Sequence, residues 1–261
     1  MYVNGKKIDA DAAFNYFMDK MGKEIPMEED ISNDDTFSPE NKKSYKTRAE
    51  EFRQEIKDCN TVSNIPFRYK NSLFSDFDFG KCGKEVEKFA LKPLDNVFLL
   101  FGGTGVGKTT LLCSTLHERA IKGLPAGYYF NNRLLMPILR TCRSFSAKEN
   151  EESLYRRLST YPFLCIDEVG ASSNLKEEGE FLTNLLCARY DNEYPTFIAT
   201  NLSPNNFKLL ICGIDINSVS EPQKNELCRT LDKTNATLNR IKSIAKTYIL
   251  VGESNRGVQN G

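Results

Sequence analysis

Residues Gly102-Gly103-Thr104-Gly105-Val106-Gly107-Lys108-Thr109 directly follow the apolar run Val97–Phe101. No other junction in the chain restricts its fold as much. The segment fits G-x-x-x-x-G-K-[ST]. Glycines let backbone N–H groups converge on phosphate oxygens, where a Cβ would obstruct or strain the turn. A helix starting near Lys108 aims its positive end at the same phosphates. Lys108 can then reach the β- and γ-phosphates, and the Thr109 hydroxyl can ligate Mg²⁺.

The surrounding pattern suits such a loop. Five short apolar runs read as strands: Val97–Phe101, Gly127–Phe130, Phe163–Ile166, Phe197–Thr200 and Thr247–Val251. Helix-length segments lie near 108–121, 133–146, 150–159, 178–190 and 222–243. Apolar strands alternating with helices predict an α/β fold, with a parallel sheet covered by helices on both faces.

Two further strand ends carry polar groups. Phe163-Leu164-Cys165-Ile166 runs into Asp167-Glu168. In P-loop enzymes the first acid at such a strand end holds Mg²⁺. The second, Glu168, is placed to orient or deprotonate an attacking water. Phe197-Ile198-Ala199-Thr200 runs into Asn201, which could hydrogen-bond the γ-phosphate or that water. In a parallel sheet these ends open on one crevice. The plainer readings are a helix N-cap for the acids and a strand terminator for Asn201. No guanine-reading Asn-Lys-x-Asp segment is present, so ATP is favoured over GTP.

The order Gly102–Thr109, Asp167-Glu168-Val169-Gly170, Thr200-Asn201 resembles the AAA+ ATPases. Within them it is similar to the DnaC-type replicative helicase loaders and the related IstB-type transposition helpers. Ile65-Pro66-Phe67-Arg68-Tyr69 resembles the segment that precedes the core there, and Gly252-Glu253-Ser254-Asn255-Arg256 resembles the closing motif. The resemblance covers roughly residues 62–256. It implies a P-loop NTPase sheet of five strands in 5-1-4-3-2 order. It also implies a ring or spiral oligomer with ATP between subunits and an arginine supplied by the neighbour. Arg240 in Leu238-Asn239-Arg240-Ile241 is the candidate for that arginine, with Arg229 as runner-up; either could instead be a surface helix residue. Thr110 stands where the family often has His, next to the phosphate loop, and counts as a nucleotide contact. Arg256 is either a sensor-like nucleotide contact or a strand-end charge.

Composition bounds the partners. The 261 residues hold 35 Lys+Arg and 35 Asp+Glu, which argues against coating nucleic acid by bulk charge. The balance conceals a split: residues 1–60 are net acidic and residues 61–261 net basic. The division predicted is an N-terminal partner-docking region over 1–60, with a helix from Asp11 to Met21, an acidic linker over 23–37 and a charged helix from Ser38-Pro39 to Cys59. An AAA+ domain over 61–261 follows. A single His leaves no two-His metal site. The eight Cys include no C-x2-C pair and several lie in apolar runs, so reduced buried thiols and a cytoplasmic setting are expected. No apolar stretch is long enough to span a bilayer.

The resemblance implies single-stranded DNA in the oligomer's channel. Residues 131–159 hold six basic residues (Arg133, Arg140, Arg143, Lys148, Arg156, Arg157) against three acidic, with Tyr128, Tyr129, Phe130 and Phe145 within or beside them. Interleaved aromatics and cations suit a single-strand groove; a solvated helix face over core aromatics fits the same residues. The function expected is ATP-dependent loading of a replicative helicase onto single-stranded DNA. The alternatives are a transposition helper ATPase and a nucleotide-gated interaction module with little turnover.

Overall fold

The structure, a computed structural model, describes residues 2–3, 6–7, 59, 63–77, 97–125, 127–144 and 150–250. A short antiparallel ribbon pairs Tyr2–Val3 with Lys6–Lys7. The expected helices and linker between 11 and 58, along with Phe145, Lys148, Val251 and the closing motif with Arg256, lie outside the described residues.

The main sheet has five strands, β1 (Val97–Gly102), β2 (Gly127–Asn131), β3 (Phe163–Val169), β4 (Thr196–Thr200) and β5 (Ala245–Leu250). Their order is β2-β3-β4-β1-β5 and every pairing is parallel. Read from the other edge this is 5-1-4-3-2, the order that the resemblance implied. Among the described residues seven helices connect the strands: α1 (Lys108–Ile121), α2 (Leu135–Cys142), α3 (Glu151–Thr160), α4 (Leu175–Asp191), α5 (Pro204–Ile211), α6 (Glu221–Thr234) and α7 (Ala236–Ile244).

The strands are apolar on both faces because both are covered. Val97, Leu99 and Phe101 of β1 point to one face, where they join Ile166, Ile198 and the apolar sides of α2 to α5. Phe98 and Leu100 point to the other, where they meet Leu111, Leu112 and Leu116 of α1. That second core is closed by Ile65, Phe74 and Phe77 from the segment preceding β1. His117 is wholly buried there, its Nδ1 2.6 Å from the Ser72 carbonyl. The lone histidine is thus a structural link between α1 and that segment.

Helix 222–243 proves to be two. Asn235 ends α6 and its side chain accepts the Leu238 N–H at 2.8 Å to cap α7. The segment near 133–146 begins with a single 3-10 turn, Asn132–Leu134, before α2. Helix α5 escaped the pattern reading although it carries a plain start signal. Ser203 caps it, accepting from Asn206 N–H at 3.2 Å, and Pro204 sits at its first position.

Candidate nucleotide site

The loop between β1 and α1 is shaped by glycine. Gly107 caps α1 with φ of 103°, a left-handed conformation that a side chain would strain. A Cβ on Gly103 would meet nothing within 4 Å, so the loop backbone there is open to a ligand. Val106 turns inward instead and packs in the core, leaving only its backbone for the loop.

Lys108 starts α1 and is almost buried. Its ammonium donates to the carbonyls of Gly102 at 2.8 Å and Gly103 at 2.6 Å, and to Asn201 Oδ1 at 2.5 Å. Asn201, at the end of β4, thereby shares the lysine with the phosphate loop. The Thr109 hydroxyl donates to Asp167 Oδ2 at 2.6 Å, and the Tyr129 hydroxyl donates to the same oxygen at 2.9 Å. Burial, together with the neighbouring Asp167 charge, pushes the Tyr129 phenol up, so it stays a donor.

Asp167 and Glu168 sit at a break in strand register. Ile166 pairs with Ile198, but Val169 pairs with Thr200, so β3 carries one extra residue. In a regular strand neighbouring side chains point to opposite faces. Here the bulge and a φ of 56° at Glu168 re-aim the pair. Asp167 points to Thr109 and Tyr129. Glu168 faces the crevice, where Arg133 Nε lies 3.1 Å from its Oε2. Thr200 secures the bulge, its hydroxyl donating to the Val169 carbonyl at 2.7 Å.

Lys108, Thr109, Asp167, Glu168 and Asn201 line one cavity of about 440 Å³. Thr104, Gly105, Gly107 and Thr110 form its loop side, and Asp167, Glu168 and Asn201 form its strand-end side. Arg68, Tyr69 and Arg133 complete the lining. These three, like Tyr129, are not among the site residues expected from the sequence. Arg133 had a usable signal, since it lies two residues past the C-terminal end of β2, on the same side of the sheet as the other strand ends. Arg68 and Tyr69 belong to the Ile65–Tyr69 segment that resembles the family's lead-in to the core, but they reach the cavity from a place remote in sequence, which nothing local indicates.

The donor set fits a magnesium nucleotide. Backbone amides and Lys108 suit phosphate oxygens, and Thr109 and Asp167 are hard oxygen ligands. Among the described residues no cluster of three or more His, Cys, Asp or Glu could hold a metal by itself. Mg²⁺ characteristically takes one or two protein oxygens and completes its shell with phosphate and water, which is the arrangement available here.

Arg240 does not line this cavity. It is half-exposed on α7, 3.6 Å from Asp191 and with its guanidinium 5.5 Å from the Tyr190 ring centre. Arg229 is exposed on α6. The basic stretch after β2 is largely engaged within the chain. Arg143 pairs with Glu151 and Glu177, Arg156 with Glu152, and Arg157 reaches the Tyr128 hydroxyl at 3.3 Å. Tyr129 and Phe130 are core residues, and Tyr128 stacks on Tyr161 at 4.4 Å. Among the described residues no helix is long and apolar enough to cross a membrane. The described cysteines are all unbridged.

No protein-family model matches the sequence, and no curated protein does. Solved structures do match. DnaI aligns at 19% identity over 76% of this chain and 99% of its own, with a TM-score of 0.53. A protein designated a primosome component, from Streptococcus pyogenes serotype M3, aligns at 19% identity over 74% and 93% of the two chains, with a TM-score of 0.52. The DnaC helicase loader aligns at 21% identity over 71% of this chain and 100% of its own, with a TM-score of 0.49. At such identities the first two likenesses speak for the fold. With the strand order above, the fold is that of a P-loop NTPase of AAA+ type.

Proposed function

We propose that this chain is an AAA+ ATPase acting in the initiation of DNA replication, as a loader of a replicative helicase onto single-stranded DNA. The observation that carries the ATPase part is the meeting of Lys108, Thr109, Asp167, Glu168 and Asn201 in one crevice. The loop amides from Gly102 to Thr109, with Thr110, would bind the nucleotide, and Arg256 would be a further contact. Thr109 and Asp167 would hold Mg²⁺, which when bound neutralises charge on the phosphates. Glu168 orients and deprotonates the attacking water, while Lys108 and Asn201 stabilise charge at the γ-phosphate.

The replication role rests on the fold likeness to DnaI and the primosome component, joined to the motif resemblance to helicase loaders. In this reading residues 1–60 dock the helicase and residues 61–261 form the ATPase domain in the cytoplasm. Copies of the domain assemble as a ring or spiral, and Arg240, or else Arg229, reaches the neighbour's nucleotide. Arg240 is half-exposed and outside its own cavity, which suits a residue that acts on another subunit.

The decisive experiment is Glu168→Gln. Steady-state ATP hydrolysis should fall steeply, leaving only a slow residual rate that single-turnover assays resolve, while ATP binding persists. Deleting 1–60 should abolish helicase binding and leave nucleotide binding intact; a truncated chain that still bound the helicase fully would sink the docking assignment. One observation favours a second reading, a nucleotide-gated module with little turnover: Arg133 already engages the Glu168 carboxylate. Absence of turnover in the parent chain, with single-stranded DNA and helicase present, would select that reading.

A further inference from the structure

Glu178 is fully buried, one turn into α4, and does not line the nucleotide cavity. Among the described residues no cation pairs with it; only hydrogen-bond donors surround its carboxylate. Oε1 accepts the Gly170 N–H at 2.6 Å and an Asn132 Nδ2–H. Oε2 accepts the Ser172 hydroxyl at 2.5 Å and, more weakly, the Ser172 N–H at 3.4 Å. Burial pushes the Glu178 carboxyl up, and these donors oppose the shift. A buried carboxylate is costly, and an apolar side chain would fill the same space more cheaply.

The donors come from two separate places. Gly170 and Ser172 belong to the turn that leaves the β3 bulge, two and four residues after Glu168. Asn132 opens the 3-10 turn that directly follows β2 and immediately precedes Arg133. One carboxylate therefore ties together the two backbone segments that carry the Glu168–Arg133 pair. The left-handed backbone at Glu168, φ 56°, is a conformation that needs support from its surroundings. Gly170, also at positive φ (84°), is held directly by Glu178.

We propose that Glu178 is a positioning residue for hydrolysis, clamping the turn after β3 to the end of β2 so that Glu168 presents its carboxylate to the cavity. The proposal rests on the ATPase reading above. It assigns Glu178 no contact with nucleotide; its effect is transmitted through Glu168.

The test uses the full chain. Glu178→Gln keeps the volume but turns one acceptor into a donor facing other donors. It should lower kcat by about 10–100-fold, the scale for displacing a catalytic group by about an ångström. Affinity for a non-hydrolysable ATP analogue should stay within about threefold. Because the effect passes through Glu168, adding Glu178→Gln to Glu168→Gln should slow single-turnover hydrolysis no further. A purely structural staple would instead weaken analogue binding, and would multiply the defect of Glu168→Gln. Unchanged kcat in Glu178→Gln overturns the proposal. Should that variant fail to fold, Ser172→Ala removes one donor from a partly exposed site and should lower kcat a few-fold; an unchanged rate there is equally fatal. Should the parent bind the ATP analogue yet show no turnover, the enzymatic reading fails by itself. A crystal structure of Glu178→Gln, or of Ser172→Ala, then decides: Glu168 out of the left-handed region and away from Arg133 sustains the clamp, and an unmoved Glu168 refutes it.

Discussion

Arg133 Nε lies 3.1 Å from Glu168 Oε2, and the two residues reach each other from the ends of neighbouring strands β2 and β3. The ion pair occupies the carboxylate that is proposed to activate water. The Arg133 side chain is 64% exposed, so the pair is a weak restraint, worth about 0.2–1 kcal/mol. Arg133→Ala should therefore raise the DNA-free ATPase rate modestly, by about 2–5-fold, with ATP affinity little changed. Steady-state hydrolysis beside analogue titration checks this. A fall in turnover would mean that Arg133 serves the phosphates and does not restrain Glu168.

Asn201 accepts from Lys108 at 2.5 Å, and both line the nucleotide cavity. Loss of a single polar group of this kind typically costs about 10²–10³ in kcat when it acts on developing charge. Asn201→Ala should show that loss with analogue affinity retained, whereas Lys108→Ala should lose nucleotide affinity as well. Equal effects of both substitutions on binding would reduce Asn201 to a support for the lysine.

Much of this site was readable in the chain because its residues follow apolar strands directly. The crevice lies at the C-terminal ends of the parallel strands, so three strand ends read in order delivered Lys108, Asp167-Glu168 and Asn201 together. What periodicity could not convey was a one-residue bulge. Nothing in Ile166-Asp167-Glu168-Val169 indicates that Val169 re-enters the pairing out of step, yet that slip is what turns both carboxylates to use. Tyr129 and Glu178 were invisible for a related reason. Each looks like ordinary strand or helix sequence, and only tertiary packing brings its polar atom to Asp167 or Gly170. Helix α5 differs, since Ser203-Pro204 carries the same start signal as Ser38-Pro39 and was legible in the sequence.

His117 and Asp232 each weaken the fold toward acid, in distinct windows. Burial holds the His117 imidazole below its usual 6.5, against the opposing effect of the Ser72 carbonyl. The unfolded chain then takes up the proton first, so stability is lost as pH falls below about 6.5. Asp232 accepts from Lys208 at 2.9 Å and from Lys242 at 3.0 Å, joining α5, α6 and α7. The Lys208 hydrogen bond, with help from Lys242, keeps its carboxyl below the usual 3.8. Its contribution is present above 3.8 and disappears as pH falls further. Urea melts across a pH series should show a first decline beginning near 6.5 that flattens in His117→Gln, and a second below 4 that weakens in Asp232→Asn.

Gly179 sits where α4 crosses α5, and a Cβ there would overlap the Leu210 carbonyl oxygen. Two effects oppose each other in Gly179→Ala. Alanine favours the helix by about 0.5–1 kcal/mol, but overpacking a tight contact costs about 1–3 kcal/mol. The obstacle is backbone, which cannot rotate aside, and Leu210 also accepts the Gly213 N–H at 2.9 Å as α5 ends. Overpacking should therefore win, with a net loss on the order of 1–2 kcal/mol in denaturant unfolding. Lys176→Ala, at an exposed position on the same helix, should stay within about 0.5 kcal/mol of the parent. Gly179 directly follows Glu178, so a displaced α4 carries the carboxylate clamp with it. The substitution should thus depress ATP turnover as well as stability, while the Lys108 contacts that secure nucleotide remain. Full turnover in a destabilised Gly179→Ala chain would show that the position of α4 does not reach Glu168.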